Sequence, residues 1–324
     1  MMKAAVVHAL GEPPRCETFE EPAVGPGESL VHVSAAAIKQ LDRAIVRGTH
    51  YGSPRRLPVV CGTDGVGRLD DGSRVYFASM RPPFGSMAER SAATLTVPVP
   101  EKVGDVTAAA LVNPALGAWL PLSWRAKMTA GETVLVVGAT GATGRLAVTI
   151  ARILGAGRII AAGRNIARLA DCGADILIDT EQKPDALKRA FADAAGPNGY
   201  DVIIDYLWGS AAEALIDVLT GGDLHVSGTG TERGIRYVSV GALAGPSIAL
   251  SSAVLRSSHL QILGSGTGNF PPADLLKETV ARILLEAAKG NLGVTSETAE
   301  LSKVTEVWDL GSASRRIVLL PPSR

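Results

Sequence analysis

The chain has 324 residues, enough for two medium-sized domains with real cores. Hydrophobic residues make up 46% and charged residues 20%, the composition of an ordinary globular enzyme. Lysine plus arginine equals aspartate plus glutamate at 32 each, and there is no basic arm, so no overall field draws the chain to nucleic acid or to a membrane surface.

Cys16, Cys61 and Cys172 are scattered and odd in number. That suits a reducing cytoplasm and argues against a disulfide framework or a four-cysteine zinc lobe. The opening MMKAAVVHALGEPP reads as a first strand rather than a signal peptide, and no window approaches the uninterrupted apolar length of a membrane helix. Residues 1 to about 100 are short extended runs punctuated by Gly and Pro. LVHVSAAA (30–37) is one, and GVGRL-DDG-SRVYF (65–77) reads as a tight hairpin. IKQLDRAIV (38–46) interrupts them with helical spacing.

The middle changes character. ETVLVVG (132–138) and RIIAAG (158–163) are β-branched or apolar runs, and TGRLAVTIARILGAG (143–157) between them has helical spacing. ILIDT (176–180), YDVIIDY (200–206), DLHVSGTG (223–230) and HLQILGSG (259–266) continue the strands. PDALKRAFADAAG (184–196) and SAAEALIDVLTGG (210–222) supply helices between them. Such alternation predicts a parallel sheet with right-handed crossovers. A long amphipathic helix (272–290) and a last strand, RRIVLLP (315–321), close the chain. The expected fold class is α/β: a doubly wound parallel-sheet domain, 121–270, inserted into a β-rich domain made of 1–120 and completed by 271–324.

Gly138-Ala139-Thr140-Gly141-Ala142-Thr143-Gly144 joins a strand to a helix. Glycines let the backbone approach a pyrophosphate closely, and the helix start offers unpaired N–H groups and a positive dipole end. With strand, helix and next strand in place, the turn predicts a dinucleotide cradle made by Thr140, Gly141, Ala142 and Thr143. About 20 residues on, NAD sites carry an acidic residue for the ribose. This chain instead has Gly163, Arg164 and Asn165, with Arg168 one turn later. A guanidinium pairs with a 2′-phosphate that a carboxylate would repel, so the expected cofactor is NADPH. Leu207, Gly228, Thr229 and Gly264 sit at the carboxyl ends of later strands, where ligands of open α/β sheets bind. Tyr206 and Trp208 flank the first of these.

KAAVVHALGEP (3–13), KQLDRAIVRGTHY (39–51), RLPVVCGTDGVG (56–67), GSMAER (85–90), AALVNPALGAW (109–119), GETVLVVGATGATG (131–144) and RRIVLLP (315–321) follow in an order and spacing that resembles the medium-chain dehydrogenase/reductase superfamily. The resemblance implies a GroES-like β-rich domain and a Rossmann domain. GATGATGR also looks like the turn of atypical short-chain reductases, but there the turn opens the chain; here more than a hundred β-rich residues precede it.

Zinc alcohol dehydrogenases of the superfamily place a Cys, a His-Glu pair and a second Cys or His around the metal. By resemblance those places fall at Lys39, Thr63-Asp64 and Asn113, and neither Lys nor Thr is a zinc ligand. No metal is therefore expected, which points to the zinc-free, quinone oxidoreductase-like branch. The resemblance then implies hydride transfer from NADPH to a quinone or an α,β-unsaturated carbonyl. Enoyl or alkenal reduction, and a non-catalytic NADPH-binding sensor, are the alternatives. Lys39, Asp42 and Tyr51 are the catalytic candidates. Lys39 reads either as an ammonium that stabilises an acceptor anion or as a surface lysine paired with Asp42. Asp42 reads as an orienting partner, and Tyr51, after the loop residue His50, as pocket lining. Asn113 and Trp119 are expected to flank a helix start beneath the nicotinamide. The resemblance also implies a small-molecule electron acceptor, a cytoplasmic setting and a homodimer, its sheets extended through HLQILGSG.

Overall fold

A computed structural model describes residues 1–79, 81–220, 234–310 and 315–322. The chain divides into two compact units, Met1–Leu116 with Pro271–Arg324, and Gly117–Phe270.

The first unit is β-rich. A three-stranded sheet runs Arg15–Phe19, Met2–Val7, Val59–Val60. A larger sheet runs Thr295–Glu300, Arg315–Leu320, Ser29–Ala37, Asp64–Arg68, Arg74–Ala78, Leu95–Pro98, with Arg90–Ala93 also paired to Ser29–Ala37. The predicted hairpin is present: Asp64–Arg68 pairs antiparallel with Arg74–Ala78, and Gly72 takes φ +84° in the connecting turn. Both chain ends build this unit. Val318 and Leu319 pair with Ala37 and Ala36, and Leu301, Val304 and Trp308 share a core with Val31, Phe77 and Met87. The helix Gln40–Val46 lies between Ser29–Ala37 and Val59–Val60 in sequence.

The second unit holds six parallel strands in the spatial order Ile176–Asp179, Arg158–Gly163, Thr133–Val137, Val202–Asp205, Ile235–Ser239, Leu260–Gly264. In chain order this is 3-2-1-4-5-6, the doubly wound Rossmann arrangement, and the order reverses between Thr133–Val137 and Val202–Asp205. Thr133–Val137 is buried along its whole length, as a strand covered on both faces requires. The helix Ala142–Ile153 buries Leu146, Ala147, Ile150 and Ala151, the three- and four-residue spacing of one face. Leu260–Gly264 is an edge strand of this sheet.

One expectation falls outside the described residues, and two need correction. The stretch 223–230, read as a strand with Gly228 and Thr229 at its end, lies outside the described residues. Asn113 and Trp119 do not flank a helix start: both lie inside one helix, Asp105–Leu120, which continues as a π-turn through Pro121–Arg125. This span of 21 residues is also long and apolar enough to cross a membrane by length and composition, although no such window was expected. It carries Pro114, and 67% of its most apolar 18-residue window is buried within the protein, as in a core helix.

Candidate functional site

In the Rossmann unit, the turn after Thr133–Val137 is tightly built. Gly138 takes φ +92°, open only to glycine without strain. A Cβ on Gly144 would lie 2.3 Å from the Gly138 carbonyl oxygen and 2.7 Å from Ala139 Cα, so only glycine lets the helix start this close to the turn. At Gly141 the nearest atom to an added Cβ is 3.6 Å away, so that position is glycine for something other than internal packing. Gly141 is the helix N-cap and brings no side-chain cap, leaving the first N–H groups of Ala142–Ile153 to an external acceptor. Thr140 lies against Gly163, where an added Cβ would approach Thr140 Cγ2 to 3.0 Å. Beyond Gly163, Arg164, Asn165 and Arg168 are all exposed, and Asn165 takes a left-handed φ of +61° that turns the chain into the short helix Ile166–Arg168.

Across the switch point, Asp205 ends its strand fully buried. Its carboxylate accepts from the Leu207 and Trp208 amides and from the Tyr237 hydroxyl at 2.6 Å. Burial pushes the Asp205 carboxyl up, against these three donors. The turn so held packs Leu207 within 3.2 Å of where a Cβ on Gly138 would sit, and the Tyr206 hydroxyl donates to Gly117 O at 3.0 Å. Thr140, Gly141, Ala142, Thr143, Gly163 and Leu207 thus gather at one end of the sheet around the turn. Gly264 ends its edge strand, where Arg125 Nε and Asn269 Nδ2 donate to its carbonyl.

In the first unit, Lys39 is neither exposed nor a surface lysine: it is 1% exposed. Its Nζ donates to Ala37 O at 3.0 Å and meets Asp64 Oδ1 and Asp42 Oδ2, each at 3.2 Å. All three ammonium protons are therefore committed within the unit. Asp42 also accepts from the Lys39 amide at 2.9 Å, which fixes the start of Gln40–Val46. Thr63 Oγ1 donates toward Asp64 Oδ2 at 3.3 Å or Asp42 Oδ1 at 3.4 Å, and Asn113 Nδ2 reaches Asp64 Oδ2 at 3.0 Å. Burial drives the Lys39 ammonium down, but the two carboxylates outweigh it and hold the group above its ordinary value. Burial raises the Asp64 carboxyl, and burial with both carboxylates pushes the Tyr76 phenol well up. Tyr51, in contrast, is 72% exposed and stacked on His50 with ring centres 4.0 Å apart; the structure does not bring it to Lys39 and Asp42. Asp64 was not singled out by sequence reasoning as a site residue. It was named only with Thr63, at the place of the superfamily's His-Glu pair in CGTDGVG.

Lys39, Thr63 and Asn113, the places at which the resemblance sets metal ligands, thus all contact the single carboxylate of Asp64. A zinc-binding dehydrogenase family model matches residues 142–284. A probable NADPH-dependent quinone reductase of Emericella nidulans is 27% identical over 99% of this chain and 100% of its own length. A mycocerosic acid synthase-like polyketide synthase of Mycobacterium tuberculosis is 32% identical over 62% of this chain, which spans only 10% of that synthase. The solved structure of a mycobacterial quinone oxidoreductase matches with a TM-score of 0.83 at 22% identity, over 99% of this chain and 100% of that one.

These likenesses are those of the medium-chain dehydrogenase/reductase superfamily. The Rossmann unit of this chain has a glycine-rich turn at the start of Ala142–Ile153, and its β-rich unit has a buried ion cluster of Lys39, Asp42 and Asp64.

Proposed function

We propose that this medium-chain reductase binds NADPH and transfers hydride, without zinc, to a quinone or an α,β-unsaturated carbonyl. The observation that carries the reading is the Lys39 ammonium between Asp42 and Asp64. A divalent cation there would meet a fixed positive charge, and its protein donors would be oxygens and an amide rather than thiolate or imidazole. Zinc does not fit this donor set.

Without a Lewis acid, an unactivated carbonyl is a poor hydride acceptor. A quinone or conjugated alkene is already electron-poor, and the protein need only orient it and solvate the oxygen that gains charge. The balance is acceptor plus NADPH plus one proton, giving the reduced acceptor and NADP⁺. Bound NADPH supplies the hydride. The chain's own residues would do the rest: the amides at the start of Ala142–Ile153 would hold the pyrophosphate, Gly141 would leave room for it, and Arg164 with Arg168 would pair with the 2′-phosphate. The 27% relative named for NADPH-dependent quinone reduction supports the same reading along the whole chain.

The test is NADPH oxidation by the purified protein with a panel of quinones and conjugated enones, with and without a chelator. Turnover on at least one acceptor class, unchanged by the chelator, is the expected result. Loss of activity on chelation with recovery by zinc would overturn the metal-free reading; NADPH binding without turnover on any acceptor would overturn the enzyme.

A further inference from the structure

The strand Val202–Asp205 runs into a turn whose backbone is not relaxed. Trp208 takes φ +58° and Gly209 follows at +62°, two left-handed residues in a row. Glycine adopts that region freely, but a side chain with a Cβ enters it against strain, so a tryptophan there has to be held. The Asp205 carboxylate holds it. Oδ1 accepts from the Leu207 amide at 2.7 Å, and Oδ2 accepts from the Trp208 amide at 3.0 Å and the Tyr237 hydroxyl at 2.6 Å. Tyr237 also meets the Trp208 ring edge to face, with ring centres 6.0 Å apart.

Asp205 and Tyr237 are both fully buried, and the donors to the carboxylate are two amides and a phenol, all neutral. A charge placed there costs desolvation that a neutral side chain would not. What it gains is one acceptor group that gathers three donors at a single point. Leu207 and Trp208, by contrast, are only half-buried. Leu207 lies against Gly138 of the glycine-rich turn, and its carbonyl accepts from the Ala244 amide at 2.8 Å. The two residues follow Val202–Asp205, on the opposite side of the switch point from Gly163 and Arg164. A dinucleotide crosses such a crevice. With its 2′-phosphate at Arg164, the other half of the cofactor extends over the Leu207–Trp208 turn.

We propose that Asp205 and Tyr237 are positioning residues for the cofactor: together they latch Trp208 in its left-handed conformation and keep the turn in the shape that admits the nicotinamide half. Neither side chain touches the cofactor itself. The inference rests on the NADPH reading and deepens it. With the latch loosened, the turn divides its population between the left-handed shape and relaxed ones, and the apparent affinity falls with the fraction that stays competent. The adenosine half, bound beyond Gly163, is indifferent to that division.

The experiment titrates the full chain with NADPH and with adenosine 2′,5′-bisphosphate, which carries the 2′-phosphate but no nicotinamide. Tyr237→Phe removes only the hydroxyl that reaches Asp205 and keeps the ring beside Trp208. It is expected to weaken NADPH about tenfold, the effect of one lost hydrogen bond to a buried charge, and the bisphosphate less than about twofold. Trp208→Gly takes the left-handed region without a latch, so adding Tyr237→Phe to it should weaken NADPH by less than about threefold relative to Trp208→Gly alone. Circular dichroism and melting temperatures are expected to show all three variants folded. Three results overturn the inference: Tyr237→Phe binding NADPH like its parent, the bisphosphate weakening as much as NADPH, or Tyr237→Phe having its full effect in the Trp208→Gly background. The last two would make the pair structural only. A parent protein that binds neither ligand overturns the NADPH reading itself, and the inference with it.

Discussion

At the scale of single residues, the most consequential feature is a lysine buried without access to water. Lys39 costs desolvation, and the structure offsets it with two carboxylates and a backbone carbonyl within 3.2 Å. Arg43 and Arg316 are the other cations near the cluster, and burial lowers both guanidinium groups. Breaking a buried ion group by removing one partner is far costlier than never having built it. Lys39→Met should therefore destabilise the protein by about 3–5 kcal/mol at neutral pH, since Asp42 and Asp64 would face each other uncompensated. The sign of the pH dependence follows. A lysine held above its ordinary value in the folded state stabilises fully below that value, and the contribution is lost as pH rises through the higher folded one. The parent protein should lose stability at strongly alkaline pH, through the raised Lys39 titration. In Lys39→Met the Asp64 carboxyl, already raised by burial, loses its cation partner and takes up a proton more readily, so the gap to the parent should narrow as the pH falls from neutral. Urea unfolding of both proteins across this range measures it, and identical midpoints at neutral pH would sink the account.

At the scale of elements, the strand–turn–helix of the nucleotide site separates two kinds of glycine. Gly144→Ala pushes a methyl carbon into the Gly138 carbonyl at 2.3 Å and should cost about 1–3 kcal/mol even without cofactor. Gly141→Ala meets nothing nearer than 3.6 Å and should change stability by less than about 0.5 kcal/mol. Gly141→Asp should leave the fold intact and abolish NADPH binding, because a carboxylate would stand where the phosphate belongs. Thermal unfolding of the apo variants together with NADPH titration checks all three, and a Gly144→Ala protein as stable as its parent would refute the packing argument. The sequence made these elements readable because their periods differ: Thr133–Val137 and Arg158–Gly163 are continuous apolar runs, and the helix between them repeats at three and four residues. Asp105–Leu120 escaped the same reading because it is apolar nearly all round and carries Pro114, so it shows neither a face nor an uninterrupted helical composition. The metal places at Lys39, Thr63 and Asn113 were readable by resemblance, but not their convergence on Asp64, which depends on strand register and helix placement that no local pattern encodes.

At the scale of the whole molecule, the chain leaves its β-rich unit after Leu116 and returns at Pro271, so one end cannot complete that unit without the other. Arg315–Leu320 pairs with Ser29–Ala37, and Thr305 donates to Pro14 O, binding residues some 290 apart in sequence. The Rossmann unit, in contrast, is one continuous stretch and contains both the glycine-rich turn and the two arginines of the proposed nucleotide site. Anything that binds the folded chain and not the unfolded one stabilises it by mass action, about 2.7 kcal/mol when the ligand stands at a hundred times its dissociation constant. Cofactor choice can thus be read from the stability of the protein itself, with no acceptor needed. Arg164 and Arg168 are both exposed beyond Gly163, and a charge-assisted contact from such a group to the 2′-phosphate should contribute about 1.5–3 kcal/mol. NADH at the concentration that gives the full NADPH effect should then stabilise by only about 1 kcal/mol. In the Arg164→Ala/Arg168→Ala double variant the NADPH effect should fall to the NADH level while the NADH effect stays where it was. The double substitution matters because either guanidinium alone could keep part of the contact. The melting temperatures must be compared at one fixed ionic strength, since salt screens an exposed ion pair. A parent protein stabilised equally by the two cofactors, or a double variant that still favours NADPH, would show that these arginines do not choose the cofactor.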